Sequence, residues 1–272
     1  MLGMRERSAG TPIRYSDHMV DDASSGLGWR SRIVTPREAV TNVRSGDHVF
    51  VGSACATPRT LVGTLEDIET PISGIQFVHF LTDGVVPDHG HGARTRFQHK
   101  TFYVGRDTQK LVATDKVDYV PISISQVHRL IETGRIPIDV ALIQLSPPDE
   151  DGMCSFGVSV ALAPVVARKA NTVIAEVNPN MPRTMGDSTI HIDDLAHLDA
   201  VDTPIIESGH EPADEVGQQM ARYVARIIDD GATLQIGLVR IPNEMLKYLT
   251  NRRDLGIHSD VVTEPIVDLI RQ

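Results

Sequence analysis

Two stretches near the end of the sequence combine residue types that could support acyl or anion chemistry. In the first, 234–243, a strand is predicted to end near Gly237 and a helix to start near Pro242, with Ile241 and Asn243 beside it. Such a junction presents backbone N–H groups at a helix N-terminus, which can bind an anion or stabilise an oxyanion. An ordinary strand-to-helix connection has the same spacing, and on spacing alone it explains the stretch better.

The second stretch, 255–265, places three ionisable side chains directly after a short apolar run. They are His258, Asp260 and Glu264. A carboxylate at the end of a strand can act as a nucleophile or a general base. Acidic residues are usually solvated surface groups, so the residue types by themselves leave both interpretations open.

Other chemistries lack their signatures in this sequence. It contains no Walker A loop, no GxGxxG after a strand, no GxSxG and no HExxH. His89 and His91 lie in a glycine-rich loop, where a solvated loop is a better interpretation than a metal site. The two cysteines, Cys55 and Cys154, have no zinc-like spacing. We therefore predict no bound metal.

Charge and composition narrow the class of protein further. The formal net charge is -10, from 26 basic and 36 acidic residues, which argues against a nucleic-acid partner. No apolar run approaches the roughly 20 residues that span a bilayer, so no membrane association is expected. The first ten residues lack the apolar core of a signal peptide, and two cysteines fit a reducing compartment. The expected location is cytoplasmic.

Apolar strand candidates alternate with helical patterns along the chain. The pattern predicts an α/β fold with an open, mostly parallel sheet and helices on both faces, whose ligands bind beyond the carboxyl ends of the strands. Two long loops, 82–100 and 146–160, are expected to lie outside the sheet and to carry function. The predicted strands are 48–51, 75–80, 101–104, 140–145, 172–177 and 234–237, and the predicted helices are 58–65, 123–132, 161–169 and 212–229.

Two helices have clear local signals. Thr35, Pro36 and Glu38 form a capping box with proline at the first helical position, and the helix should end near 45–46. The helix at 212–229 carries one apolar stripe at helical spacing. That stripe consists of Val216, Met220, Tyr223, Val224 and Ile227.

Five stretches resemble motifs of the acetyl-CoA hydrolase/transferase family, which includes the 4-hydroxybutyrate and succinate CoA-transferases. Each motif is weak alone, but together they are specific, and the resemblance runs from about Trp29 to Leu269. The stretches are 146–160, with its Ser-Pro-Pro-Asp start; 178–191, with Met-Pro-Arg-Thr and Gly-Asp-Ser; 118–122; 237–243, with Ile-Pro-Asn; and 255–259, with Leu-Gly-Ile-His-Ser.

The resemblance implies an acyl-CoA:carboxylate CoA-transferase with coenzyme A as substrate and no bound cofactor. In that family a glutamate attacks the thioester, forms an acyl anhydride and then an enzyme–CoA thioester, and a small carboxylate collects the CoA. The matching position here is Asp260, with Glu264 as the fallback carboxylate. The resemblance also implies substrate-binding positions at Gly237, Ile241, Pro242, Asn243, Gly186, Asp187, Ser188 and His258.

The sequence departs from the family pattern at three places near the expected nucleophile. Asp260 is one methylene shorter than glutamate, Val239 replaces a glycine, and 263–265 replaces Ser-Asp-Gly. Family members also continue into a second α/β domain. We therefore expect a flexible segment at 1–30, an N-terminal CoA-transferase domain at 31–272, and a second CoA-transferase domain or a homodimer as partner. The alternatives are an acyl-CoA hydrolase and a non-catalytic acyl-CoA-binding or assembly module.

Overall fold

The computed structural model of the chain describes residues 28–68, 72–82, 97–105, 108–109, 112, 117–209, 212–237 and 239–272. The chain divides into two compact units, one ending at Ile206 and the other running from Glu207 to Gln272. Within the described ranges, every helix falls short of the length or hydrophobicity that a membrane-spanning segment needs. Almost all of 1–30 lies outside those ranges, so the flexible lead-in stays a prediction, as does the domain boundary at 31.

The first unit is built on a seven-stranded sheet in which every neighbouring pair of strands is parallel. This confirms the predicted open parallel sheet. Its strands are β1 (His48–Val51), β2 (Ile75–His79), β3 (Phe97–Thr101), β4 (Val117–Tyr119), β5 (Val140–Leu145), β7 (Thr172–Val177) and β9 (His197–Ala200), and a separate antiparallel pair is formed by β6 (Met153–Ser155) and β8 (Thr189–His191). The strands of the sheet lie in the order β4-β3-β2-β1-β5-β7-β9.

Helices cover both faces of this sheet. Every residue of β5 is buried, because Leu142 packs in the cluster that contains Leu61 while its neighbour Ile143 packs in the cluster that contains Ile131. A strand buried on both faces reads as a continuous apolar run, which is why β5 was predicted without error. The helices are α1 (Pro36–Ala39) and α2 (Arg59–Asp67) on one face, and α3 (Ile124–Glu132) and α4 (Ala163–Lys169) on the other.

The sheet order reverses between β1 and β5, since β2 to β4 lie on one side of β1 and β5, β7 and β9 lie on the other. Ligand clefts in open parallel sheets form beyond the strand ends at such a point. The loop after β1 folds tightly there: a Cβ on Gly52 would lie 3.0 Å from the Ala56 carbonyl oxygen and 3.2 Å from Pro58 Cδ. Ala54 takes a left-handed φ of 50° in the same loop. The backbone of the loop after β1 is therefore closely packed at the switch point.

The second unit is smaller and has its own core. Its two strands, β10 (Thr233–Leu234) and β11 (Gly256–Ile257), pair in parallel. Its core includes Leu234, Ile236, Leu246 and Leu249. The helices of this unit are α5 (Glu215–Arg226), α6 (Arg240–Leu246) and α7 (Glu264–Arg271).

Helix α5 forms as predicted, but its apolar stripe faces outwards. Ile227, just past the helix, is 79% exposed, whereas the buried face consists of the small residues Gly217, Ala221 and Ala225. A Cβ on Gly217 would lie 3.0 Å from Asp214 Oδ1 and 3.2 Å from Ala213 Cβ, so the segment before α5 leaves little room for a side chain there. The stripe therefore forms an exposed apolar surface, here called the α5 stripe, comprising Val216, Met220, Tyr223, Val224 and Ile227.

Three local expectations need correction. The strand predicted at 101–104 is β3, which ends at Thr101, so part of the predicted loop 82–100 belongs to the sheet. The strand contains buried polar residues such as His99, so a search for apolar runs in the sequence did not detect it. The predicted strand 234–237 is only two residues long, Thr233–Leu234. The capping box of Thr35 is present, but α1 gives way to a 3-10 turn at Val40–Asn42. His89 and His91 lie outside the described residues.

Candidate active site

A chain of buried polar groups links the strand ends at the switch point of the first unit. Gln144 Nε2 donates to the Thr57 carbonyl oxygen at 3.2 Å and to Glu176 Oε2 at 3.2 Å. Asn178 Nδ2 donates to Gln144 Oε1 at 3.1 Å and to the Thr203 carbonyl oxygen at 2.8 Å. The loops after β1, β5, β7 and β9 are thereby held in register along one edge of the sheet.

Two buried carboxyl groups lie next to each other in this network. Glu176 on β7 pairs in register with Asp199 on β9, and Glu176 Oε1 accepts the Leu61 N–H at 2.8 Å in the first turn of α2. Burial raises the pKa of Glu176 to about 7; the Leu61 N–H opposes this rise and Asp199 adds to it. Burial raises the pKa of Asp199 to about 7 as well. Among the described residues, Asp199 Oδ2 is buried without a hydrogen-bond partner.

Sequence analysis missed this acidic pair because Glu176 lies inside a mostly apolar strand, and because β9, which holds Asp199, was not predicted as a strand. The available signal was positional: Gln144, Glu176 and Asp199 each occupy the second-last position of their strand. In a parallel sheet such positions lie at the carboxyl edge, so Gln144 and Glu176, on two predicted strands, were the available signal. The position of Asp199 beside them follows from the order of the strands in the folded sheet.

The Ser-Pro-Pro-Asp and Met-Pro-Arg-Thr motifs bind each other. Arg183 Nη2 donates to Asp149 Oδ2 at 2.6 Å, and Arg183 Nη1 donates to the carbonyl oxygens of Pro147 and Met153 at 3.1 and 3.0 Å. Asp149 Oδ1 accepts the Met153 N–H at 2.8 Å. The contacts of Arg183 and Asp149 therefore hold the two loops together around the β6–β8 pair.

Two glycines of these motifs are required by close contacts. Gly152 has a φ of 79°, and a Cβ there would lie 2.7 Å from His191 Nε2. Gly157 has a φ of 62°, and a Cβ there would overlap Met181 Sδ and lie 3.0 Å from the Pro182 carbonyl oxygen. A side chain at either position would collide with the partner motif, so the two motifs form a single folded element.

The predicted substrate-binding residues of the first unit lie at the exposed tip of this element. Met185 at the tip is 96% exposed, and Gly186 takes a φ of 90° with open space where a Cβ would be. Asp187 is exposed, whereas Ser188 is buried and its hydroxyl donates to the Thr184 carbonyl oxygen at 2.8 Å. Asp187 is thus accessible to a ligand, and the side chain of Ser188 is engaged within the loop.

The second unit brings together the two stretches singled out for chemistry. Because β10 and β11 are parallel, the turns that follow them lie at the same edge of the pair. Asn243 Nδ2 donates to the carbonyl oxygens of Gly237 and Val239 at 3.2 and 3.0 Å. Its Oδ1 accepts the Thr263 hydroxyl at 2.6 Å. Asn243 therefore joins the turn after β10 to the segment that contains Asp260.

Asp260 lies exposed on that segment, and its neighbours are anchored. The Ser259 hydroxyl donates to the Ile236 carbonyl oxygen at 2.6 Å, and the His258 N–H donates to the Leu234 carbonyl oxygen at 2.9 Å. The side chains of Asp260 and His258 both face solvent.

The remaining predicted residues of this unit lie at the ends of the two short helices. Glu264 is the exposed first residue of α7, with Oε1 4.0 Å from Arg271 Nη1. Ile241 and Pro242 are half-buried in the first turn of α6, which is preceded by Val239. Val239 is 66% exposed, so the side chain that replaces the family's glycine points to solvent at this edge.

Comparison with known proteins places the chain in a family. Residues 18–234 match the acetyl-CoA hydrolase/transferase N-terminal domain, so the chain belongs to that family. The 4-hydroxybutyrate coenzyme A transferase of Clostridium kluyveri is 35% identical over 243 residues, covering 89% of this chain and 57% of that protein. The succinyl-CoA:acetate/propanoyl-CoA:succinate CoA transferase of Fasciola hepatica is 32% identical over 232 residues, covering 84% and 48%.

Solved structures agree with this assignment. RipA from Yersinia pestis superposes with a TM-score of 0.83 at 31% identity, covering 89% of this chain and 59% of that one. A 4-hydroxybutyrate CoA-transferase from Porphyromonas gingivalis gives a TM-score of 0.74 at 31% identity, covering 89% and 57%. The family resemblance and the fold class predicted from the alternation of strands and helices are thereby confirmed. The chain spans about half the length of the curated relatives that it matches.

Proposed function

We propose that this chain contributes the N-terminal part of an acyl-CoA:carboxylate CoA-transferase, with Asp260 as the nucleophile. The observation that carries the proposal is the anchoring of the Asp260 segment against the turn after β10, through Ser259 and through Asn243. The names of the relatives supply the reaction class, since those quoted above are CoA-transferases. Coenzyme A enters as part of the substrate, and no resident cofactor takes part.

The proposed reaction passes through three covalent intermediates on one carboxylate: an anhydride, a CoA thioester and a second anhydride. An Asp260 oxygen attacks the thioester carbonyl, so the C–S bond breaks and a mixed anhydride and CoA thiolate form. The thiolate then attacks the aspartyl carbonyl, which releases the first carboxylic acid and leaves an enzyme–CoA thioester. The acceptor carboxylate attacks this thioester to form a second anhydride. CoA thiolate, attacking its acyl carbonyl, regenerates Asp260 and forms the new acyl-CoA.

Apart from Asn243, whose side-chain amide is engaged by the protein, the other predicted substrate-binding residues take binding roles in this proposal. Gly237, Ile241 and Pro242 belong to the turn that would face the thioester, and backbone N–H groups there would stabilise the oxyanion. His258 lies beside the nucleophile. Gly186, Asp187 and Ser188 remain proposed substrate-binding residues of the first unit.

A second α/β domain or a second copy is proposed as the partner. The α5 stripe is apolar and exposed, which is typical of a surface that is covered in the complete assembly. We propose a cytoplasmic location, which is in keeping with two cysteines that lack a disulfide-framework spacing.

An acyl-CoA hydrolase is the second candidate, because Asp260 is exposed in this unit. Water that reaches the anhydride would release free acid and return the enzyme unchanged, and CoA transfer would be lost. A chain that binds acyl-CoA without reacting is the third candidate.

A trapping experiment tests the proposal, using the longest natural form of the protein that contains this chain. The protein is incubated with an acyl-CoA, treated with hydroxylamine or borohydride, and mapped by mass spectrometry. We expect a label on Asp260 that Asp260→Asn abolishes and Glu264→Gln leaves in place. A label on Glu264 would move the nucleophile. Free acid formed at the expense of transfer would support the hydrolase. Acyl-CoA binding without any labelled carboxylate would refute the covalent mechanism.

A further inference from the structure

The start of α7 shows an unusual use of a capping residue. Thr263 is the N-cap of α7, a position where a threonine hydroxyl ordinarily accepts a backbone N–H of the first turn. Its hydroxyl accepts no such bond here and instead donates to Asn243 Oδ1 at 2.6 Å. Both residues are buried, with Thr263 7% and Asn243 3% exposed. The side chain that could cap the helix is committed to a cross-link between two turns.

Both polar atoms of the Asn243 side chain have hydrogen-bond partners. Asn243 Nδ2 donates to Gly237 and Val239, and Oδ1 accepts from Thr263. An asparagine can donate two hydrogens and accept at one oxygen, so this side chain is nearly saturated by the protein. It therefore has little capacity left to bind a substrate directly.

We infer that Asn243 and Thr263 are positioning residues, which hold the Asp260 segment at a fixed distance from the turn after β10. The inference deepens the proposed function and rests on Asp260 being the nucleophile. Asp260 lies three residues before Thr263 and directly after the anchored Ser259, so the segment is pinned on both sides. A short nucleophile needs such fixation, because an error of about 1 Å in the attack geometry can cost roughly a hundredfold in rate.

Thr263→Val removes the cross-link and leaves the shape of the side chain unchanged. Because the hydroxyl does not cap α7, this change takes no capping bond away from the helix. Thr263→Ser keeps the hydroxyl and serves as the rescue variant. Thr250→Val is the matched control, since Thr250 is an exposed threonine in the same unit.

Two readouts are measured on the longest natural form of the protein. Hydrogen exchange of the 258–263 segment should accelerate about tenfold in Thr263→Val and stay near wild type in Thr263→Ser and Thr250→Val. The rate of covalent trapping of an acyl group should fall roughly tenfold or more in Thr263→Val at unchanged acyl-CoA affinity. Asn243→Asp, which keeps the acceptor for Thr263 and loses the donor to Gly237 and Val239, should behave like Thr263→Val.

The possible outcomes distinguish the positioning role of Asn243 and Thr263 from the proposed covalent function. If the wild-type protein forms no adduct while exchange accelerates in Thr263→Val, the cross-link exists but the proposed function fails. If the wild-type protein forms the adduct and Thr263→Val traps it at the rate of Thr263→Ser, the positioning role is wrong. A fall in acyl-CoA affinity with an unchanged trapping rate would also overturn it, because that result would make these residues binding groups.

Discussion

Replacing Asp199 with asparagine should flatten the pH dependence of stability. Asp199 Oδ2 is buried without a partner among the described residues, and its pKa is raised from the ordinary value of 3.8 to about 7 by burial. Between those two values the folded state binds more protons than the unfolded state. The free energy of unfolding contributed by this group is therefore fully present below about pH 4 and falls as pH rises towards 7.

The magnitude follows from the size of the shift. One pKa unit corresponds to about 1.4 kcal/mol, so the two units between pH 5 and pH 7 correspond to about 3 kcal/mol at most. Glu176 is paired in register with Asp199, and its pKa is also raised to about 7. Protonation of either carboxyl lowers the free-energy cost of burying the pair, so the contribution of Asp199 alone is smaller than this maximum. We expect the wild-type protein to lose about 2 kcal/mol more than Asp199→Asn between pH 5 and pH 8.

Urea unfolding at pH 5 and at pH 8 measures this difference directly. Asp194→Asn is the control, because Asp194 is an exposed acid in the same unit, and it should reproduce the wild-type dependence. The reasoning would be refuted if Asp199→Asn lost as much stability as wild type between the two pH values, or if it were less stable than wild type at pH 8. Either result would mean that the ionised carboxylate is well solvated in the folded protein.

Three further outcomes are expected. Gly157→Ala should destabilise the protein by about 2 to 4 kcal/mol in thermal or urea unfolding, because its Cβ would meet Met181 Sδ. Gly186→Ala, at an open tip, should cost only about 1 kcal/mol. Equal losses in the two variants would contradict the packing argument. Arg183→Lys should cost about 1 to 3 kcal/mol, since one ammonium cannot reproduce the fork of contacts, and an unchanged midpoint would count against the locked motif. The chain by itself should self-associate with rising concentration in light scattering, and Ile227→Lys should reduce this; a wild-type monomer at all concentrations would argue against the α5 stripe as a docking surface.

The strands that sequence reasoning found are those buried on both faces. β5 has one polar residue in six and β7 has two, and the ends of both strands were predicted to the residue. β3 was misplaced because it carries His99 and Lys100, so its pairing with β2 sets its position and local hydrophobicity does not. The order of the strands could not be predicted from the hydrophobic pattern either, because only the folded sheet shows β1 next to β5.

The candidate site was predictable to the extent that it follows local spacing. The stretch that holds Asp260 could be located because it follows an apolar run, and parallel pairing then brings it beside the turn after β10. The buried Glu176 and Asp199 were missed since their proximity comes from strand register. The α5 stripe was the opposite case: helical spacing identified the helix, but Gly217 and its small neighbours determine which side is buried.

The order of the strands along the chain has a consequence for synthesis of the protein. Every described strand of the seven-stranded sheet lies before residue 201, and the last to be made, β9, takes an edge position beside β7. Translation proceeds at roughly 5 to 20 residues per second, so the sheet has several seconds to form while 207–272 is still being synthesised. An edge strand can be added to a finished sheet without opening it. The first unit can therefore complete its hydrogen-bonded ladder on the ribosome before the Asp260 segment exists.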